Sequence, residues 1–188
     1  MPLEPRPCRS ALILGGARSG KSRFARELAE SSGLAPFLIA TAAAGDAEMA
    51  ERIARHKAER DTRWSTIEEP LELPAVLARE SRADRVLTVD CLTLWLANLT
   101  FADLDADAAF RALAAALAGA SGPIVLVSNE IGLGLVPGTP LGRRFRDAQG
   151  RLNQWIAGVC DAVIFIAAGL PLSLKPAGAP PPRLGRIA

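Results

Sequence analysis

Residues 15–22 read GGARSGKS, with Gly15, Gly20, Lys21 and Ser22 at the fixed positions of G-x-x-x-x-G-K-[ST]. This spacing suits a phosphate cradle. Two glycines admit backbone torsions that a side chain forbids. The N–H groups of Gly16, Ala17, Arg18 and Ser19 can then converge on phosphate oxygens at the positive end of a helix. Lys21 supplies a cation for the outer phosphates, and the Ser22 hydroxyl supplies a ligand for Mg²⁺ bridging two of them. A distal carboxylate is offered by Asp90, at the end of the apolar run VLTVD. It can hold Mg²⁺, or it can cap the helix that begins at Leu92. Asn129 and Glu130, after VLVS, stand at another strand end, where a place in the site and a turn-forming role are equally open.

The chain has a single histidine, His56, in the basic run ERIARHKAER. On a helix, Met49, Ile53, His56 and Arg60 fall close to one stripe, so the imidazole leans toward the packed face. Two readings stay open on these residues. His56 is a boundary residue bonded to a carbonyl, or it is a nucleophile that attacks an α-phosphate with Arg and Lys nearby to hold the phosphoryl charge. A second basic run, Arg143, Arg144, Arg146 and Arg151, reads as a solvent face, with contact to a phosphate as the alternative.

These groups need a scaffold, and the apolar pattern supplies one. Strands are expected at 11–16, 35–43, 64–67, 84–90, 122–130 and 162–168. Helices are expected at 21–33, 46–61, 70–81, 92–120 with a break near 103–107, and 141–161. Residues 131–140, rich in Gly and Pro, read as a loop. Continuous apolar strands alternating with helices predict an α/β fold, a mostly parallel sheet with helices on both faces. The 188 residues suit one domain, with a short extension at 1–10 and a Pro-rich tail at 176–188.

Composition excludes several classes. The formal net charge is +2, against the strong basic excess of a nucleic-acid binder. No run approaches a membrane span, and no secretory signal opens the chain, so a cytoplasmic protein is expected. Cys8, Cys91 and Cys160 have neither disulfide nor metal-ligand spacing. The segments DCLT and NEIG do not fit the D-x-x-G and N-K-x-D motifs of a regulatory GTPase, and the glycine-rich signature of a transport ATPase is absent. A small-molecule kinase or nucleotidyltransferase remains the better class. The rival readings are a monofunctional small-metabolite kinase in which His56 is structural, and a nucleotide-binding regulatory protein.

Five stretches, in order, resemble the bifunctional adenosylcobinamide kinase and adenosylcobinamide-phosphate guanylyltransferase family. They are LGGARSGKSRFAREL, IATAAAGDAEMAERIARHKAER, VDCLTLWLANL, VLVSNEIGLGLVP and RRFRDAQGRLNQ. The runs N-E-x-G-x-G-x-V-P and R-I-x-x-H-K are the specific ones. The resemblance implies a RecA-like P-loop fold, a homotrimer, and two reactions with GTP or ATP and Mg²⁺. Adenosylcobinamide is phosphorylated on its aminopropanol arm. GMP from GTP is then carried on a histidine, matched here by His56, to adenosylcobinamide phosphate. Nucleotide contacts carry over to Gly15 through Ser22, Thr41, Ala42, Ala43, Lys57, Ala58, Glu59, Arg60, Glu68 and Asp90.

Overall fold

A computed structural model describes residues 8–42 and 63–176. The helix expected at 46–61, with His56 and Lys57 through Arg60, lies outside the described residues, as does Ala43. The strands are β1 (Ser10–Gly15), β2 (Ala35–Ala40), β3 (Ser65–Glu68), β4 (Arg85–Asp90), β5 (Ile124–Val127), β6 (Ala162–Ala167) and β7 (Leu170–Lys175). Among the described residues the helices are α1 (Lys21–Glu30), α2 (Leu73–Glu80), α3 (Leu92–Phe101), α4 (Ala106–Ala118) and α5 (Pro140–Val159).

The strands form one seven-stranded sheet in the order β3-β2-β4-β5-β1-β6-β7. Every pairing is parallel except β6 with β7. Strand residues alternate between two apolar layers, as the pleat requires. Leu12, Leu14, Leu87, Val89, Ile124 and Leu126 face a large core with Leu77, Trp95, Phe110, Leu113, Leu152 and Ile156 from α2 to α5. Ala11, Ile13, Val86, Val125 and Val127 face Ala25, Leu28 and Ala29 of α1. Both faces are therefore covered, with four described helices on one and α1 on the other.

The structure departs from expectation in three places. First, residues 170–175 form a strand, β7, that the apolar pattern did not announce. It is antiparallel to β6 and joined to it by Ala168 and Gly169, both with positive φ (50° and 81°). That is the torsion signature of a tight primed hairpin turn. Second, β1, a central strand, starts at Ser10, inside the expected extension, and its start is tied to Asp161. The Asp161 carboxylate accepts hydrogen bonds from the N–H groups of Arg9 (2.8 Å) and Ser10 (3.0 Å) and from the Ser10 hydroxyl (3.2 Å). Third, the strands expected at 35–43 and 122–130 stop at Ala40 and Val127. The residues beyond them turn to form the site. The break in the helix after Leu92 is real: Asp105 caps α4 by accepting from Asp107 N and Ala108 N.

Candidate functional site

The sheet register assembles the site. Glu68, Ala40, Asp90, Val127 and Ile13 occupy one row across β3, β2, β4, β5 and β1. Asp90 is two strand steps from Ile13, about 10 Å, at the edge where β1 runs into the glycine loop. Glu68 shares the row but lies four steps away, about 19 Å, on an outer strand, and is exposed. A single phosphate group cannot bridge that distance. Glu68 and the loop can serve only different parts of a ligand, or different ligands.

Between β1 and α1 the chain makes the loop 15–20. Gly15 has φ 149° and Gly20 φ 99°. A Cβ on Gly15 would overlap the carbonyl oxygen of Ile166 on the adjacent strand and would stand 2.8 Å from Ser19 Oγ. The loop is held at both ends. Glu130 N–H donates to Gly15 O (3.0 Å), and Gly169 N–H, from the β6–β7 turn, donates to Ser19 O (2.9 Å). The hairpin that the sequence hid thus braces the phosphate loop. Gly15→Ala is expected to lower stability by about 2 kcal/mol and to weaken GTP binding about tenfold or more. Thermal denaturation and nucleotide titration check this.

Lys21, the first residue of α1, is 7% exposed, and its Nζ donates to Gly16 O at 2.6 Å. Its charge is therefore held inside the loop. The Ser19 hydroxyl is buried without a hydrogen-bond partner among the described residues. A buried cation and an orphaned hydroxyl on a glycine loop fit an anionic ligand with oxygen acceptors. Gly16 and Ser22 are half-buried, and Ala17 and Arg18 are exposed. Arg18 sits at φ 55°.

Asp90 is half-buried at the end of β4, and its carboxylate takes no hydrogen bond among the described residues. The N-cap of α3 is Cys91, without a side-chain cap bond. The capping alternative for Asp90 therefore falls away. The turn carrying Asp90 is clamped by Thr41. Thr41 N–H donates to Asp90 O (3.3 Å); its hydroxyl accepts from Cys91 N–H (2.8 Å) and donates to Cys91 O (2.7 Å). Asn98 Nδ2 in turn donates to Thr41 O (2.8 Å). Thr41 is fully buried with its hydroxyl engaged, so its part is to hold Asp90, while half-buried Ala42 follows it toward the surface.

Ser22, at the start of α1, and Asp90, at the end of β4, could each offer an oxygen to Mg²⁺. No group of three or more His, Cys, Asp or Glu side chains able to hold a metal occurs among the described residues. Two protein oxygens suit a Mg²⁺ ion that arrives on a nucleotide and keeps phosphate and water ligands. The cysteines are unsuited to chemistry. Burial pushes the Cys91 thiol up to about 11, with Asp90 adding to it, and burial raises Cys160 to about 12.

Two features of the site region escape a reading of the sequence. Gln149 and Asn153 are buried amides four residues apart on the packed stripe of α5, and they bond to Ser128 after β5. Two amides at core positions of an otherwise amphipathic helix were the available signal. Arg143, expected on a solvent face, is exposed, and its Nη1 also donates to Pro137 O (3.1 Å) and Gly138 O (3.0 Å), tying the 131–139 loop to α5.

Comparison with known proteins bears on this arrangement. The family model for cobinamide kinase / cobinamide phosphate guanyltransferase matches residues 11–174. The chain is 55% identical over 168 residues to the bifunctional adenosylcobalamin biosynthesis protein CobP of Pseudomonas aeruginosa, covering 87% of this chain and 96% of that protein. It is 36% identical over 181 residues to CobU of Salmonella typhimurium, covering 87% and 98%. In fold it is similar to the flagellar accessory protein FlaH from Methanocaldococcus jannaschii (TM-score 0.52, 15% identity, 97% and 90% covered). It is also similar to PH0250 from Pyrococcus horikoshii (TM-score 0.53, 12% identity, 98% and 94% covered). The RecA-like P-loop fold implied by the resemblance is the one found. With a glycine loop braced at both ends, an Asp90 carboxylate in the same register row that takes no hydrogen bond among the described residues, and a family match across nearly the whole sheet, the chain belongs to the cobinamide kinase / cobinamide phosphate guanyltransferase family.

Proposed function

We propose that this chain phosphorylates the aminopropanol hydroxyl of adenosylcobinamide and then transfers GMP from GTP to the product, through a guanylyl group on His56. In the first reaction the hydroxyl oxygen attacks the γ-phosphorus of GTP or ATP. The nucleoside diphosphate leaves, and the hydroxyl proton is lost to solvent. In the second, an imidazole nitrogen of His56 attacks the α-phosphorus of GTP and pyrophosphate leaves. A phosphate oxygen of adenosylcobinamide phosphate then attacks the histidine-bound phosphorus, freeing His56 and giving adenosylcobinamide-GDP. Gly15 through Ser22 hold the phosphates, and Lys21 balances their charge. Ser22 and Asp90 would hold Mg²⁺, which when bound draws charge from the phosphate oxygens. Ala42, Ala43, Lys57 through Arg60 and Glu68 complete the nucleotide site, with Thr41 acting through Asp90. The chain works as a single domain in the cytoplasm and assembles as a homotrimer.

The observation that carries this reading is Asp90, whose carboxylate takes no hydrogen bond among the described residues and whose backbone turn is clamped by Thr41 in register with the strand that feeds the loop. The test is a product assay with adenosylcobinamide, GTP and Mg²⁺, followed by mass spectrometry. Adenosylcobinamide phosphate is expected first, then adenosylcobinamide-GDP with release of pyrophosphate. An unchanged corrinoid in the presence of bound nucleotide would overturn the reading. Phosphorylation without the GDP product would leave only the kinase.

A further inference from the structure

β5 is the strand between the P-loop strand β1 and the Asp90 strand β4, and its end is held by a dense set of hydrogen bonds. Ser128 is fully buried and continues the ladder, its N–H donating to Ile13 O (2.9 Å). Its hydroxyl donates to Asn153 Oδ1 (2.7 Å) and accepts from Gln149 Nε2 (2.9 Å). Gln149 Nε2 also reaches Asn153 Oδ1 (2.9 Å). Asn153 Nδ2 then donates to the carbonyl of Asn129 (3.1 Å). On the other side Asn129 N–H donates to Thr93 Oγ1 (2.9 Å), in the first turn of α3. The next residue, Glu130, donates its N–H to Gly15 of the phosphate loop (3.0 Å).

Asn129 therefore has both backbone polar groups fixed by side chains from two helices, and its neighbour is fixed to the loop. Its own carboxamide is half-buried and takes no hydrogen bond among the described residues. Three buried polar side chains cost stability unless they are well paired, and among the described residues this set leaves Gln149 Oε1 without a partner. An apolar triad would close the same space with less desolvation. The polar set is understandable if its task is to fix Asn129. A carboxamide just past the end of β5, the strand between β4, which carries Asp90, and β1, which leads to Lys21, can donate to an oxygen of a terminal phosphate and accept from an attacking hydroxyl.

We infer that the Asn129 carboxamide contacts the terminal phosphate of the bound nucleoside triphosphate, and that Ser128, Gln149 and Asn153 are the positioning residues that aim it. This rests on the nucleotide site proposed above and adds a contact to it.

The test measures affinity for GTPγS and for GDP, with turnover, in wild type, Asn129→Ala, Gln149→Met and the double variant. A lost hydrogen bond to a charged oxygen predicts that Asn129→Ala binds GTPγS about tenfold more weakly. GDP binding is expected to stay within about twofold, since the diphosphate lacks the contacted group. Gln149→Met is expected to lose part of the same preference. If Gln149 acts through Asn129, the double variant matches Asn129→Ala alone rather than adding to it. Where Gln149→Met does not fold, Asn153→Ser takes its place in the cycle. An unchanged GTPγS-to-GDP ratio in Asn129→Ala overturns the contact. Additive losses overturn the positioning unit. If wild type transfers nothing to adenosylcobinamide, the proposed function fails while the affinity ratio still decides Asn129.

Discussion

His56→Asn is expected to form no covalent GMP adduct when incubated with α-labelled GTP, and to make no adenosylcobinamide-GDP. Phosphorylation of adenosylcobinamide should continue within about twofold of wild type, because the phosphate loop and Lys21 remain in place. The chain contains one histidine, so no neighbouring imidazole can substitute for it. Asn keeps hydrogen-bonding capacity but has no nucleophilic ring nitrogen, so the variant separates attack on phosphorus from simple contact. The wild-type label should be lost in mild acid and retained in base, as a phosphoramidate requires. Label retained on His56→Asn would remove this residue from the mechanism. Loss of both activities together would mean that the histidine serves the shared nucleotide site rather than one step.

Much of the scaffold was readable because its signals are local. The loop GGARSGKS fixes four residue types in eight positions, and the strand and helix around it follow from periodicity. Asp90 was readable as a strand-end acid, but its freedom was not. Whether that carboxylate caps α3 depends on the turn that Thr41, just past β2 and fifty residues away, clamps. β7 escaped for a different reason. Its sequence, LPLSLK, alternates leucine with Pro, Ser and Lys, but the run is short, has no β-branched residue and carries a proline that demotes it, and Leu170, Leu172 and Leu174 are exposed. The Ala168–Gly169 turn also marks it, and a turn becomes informative once both flanking strands are known. The bracing of the phosphate loop by Gly169 was hidden with it. Likewise Gln149 and Asn153 each resemble ordinary helix surface residues until α5 is laid on β5, which places both in the core beside Ser128. Side chains that act directly on a ligand leave short motifs. Those that aim them are scattered by the topology, and become a unit only in three dimensions.

Lys21→Met should reduce phosphoryl transfer to adenosylcobinamide by about a thousandfold while leaving the fold intact. The chemical loss follows from charge. In transfer, negative charge spreads over the phosphoryl oxygens, and a preplaced cation in a water-poor loop is worth about 3–4 kcal/mol there. The structural effect runs the other way. In the free protein the ammonium is 7% exposed and is held on Gly16 O, so its solvation has already been given up before any phosphate arrives. Methionine fills nearly the same length without a charge to desolvate, which offsets part of what is lost with the ammonium's contacts. The carbonyl of Gly16 loses a donor, at about 1 kcal/mol, but Gly16 is only half-buried and water can replace it. The melting temperature is therefore expected to stay within about 4 °C of wild type. Activity lost with stability kept is the signature of a residue whose burial is maintained for the ligand. A melting temperature that falls steeply in Lys21→Met would instead make the lysine a structural tie of the loop. The guanylyl transfer to His56 gives a second measure. If both reactions use the one phosphate loop, Lys21→Met suppresses the adduct as well as the kinase; if the GTP that guanylylates His56 sits nearer Glu68, about 19 Å along the same register row, the adduct survives.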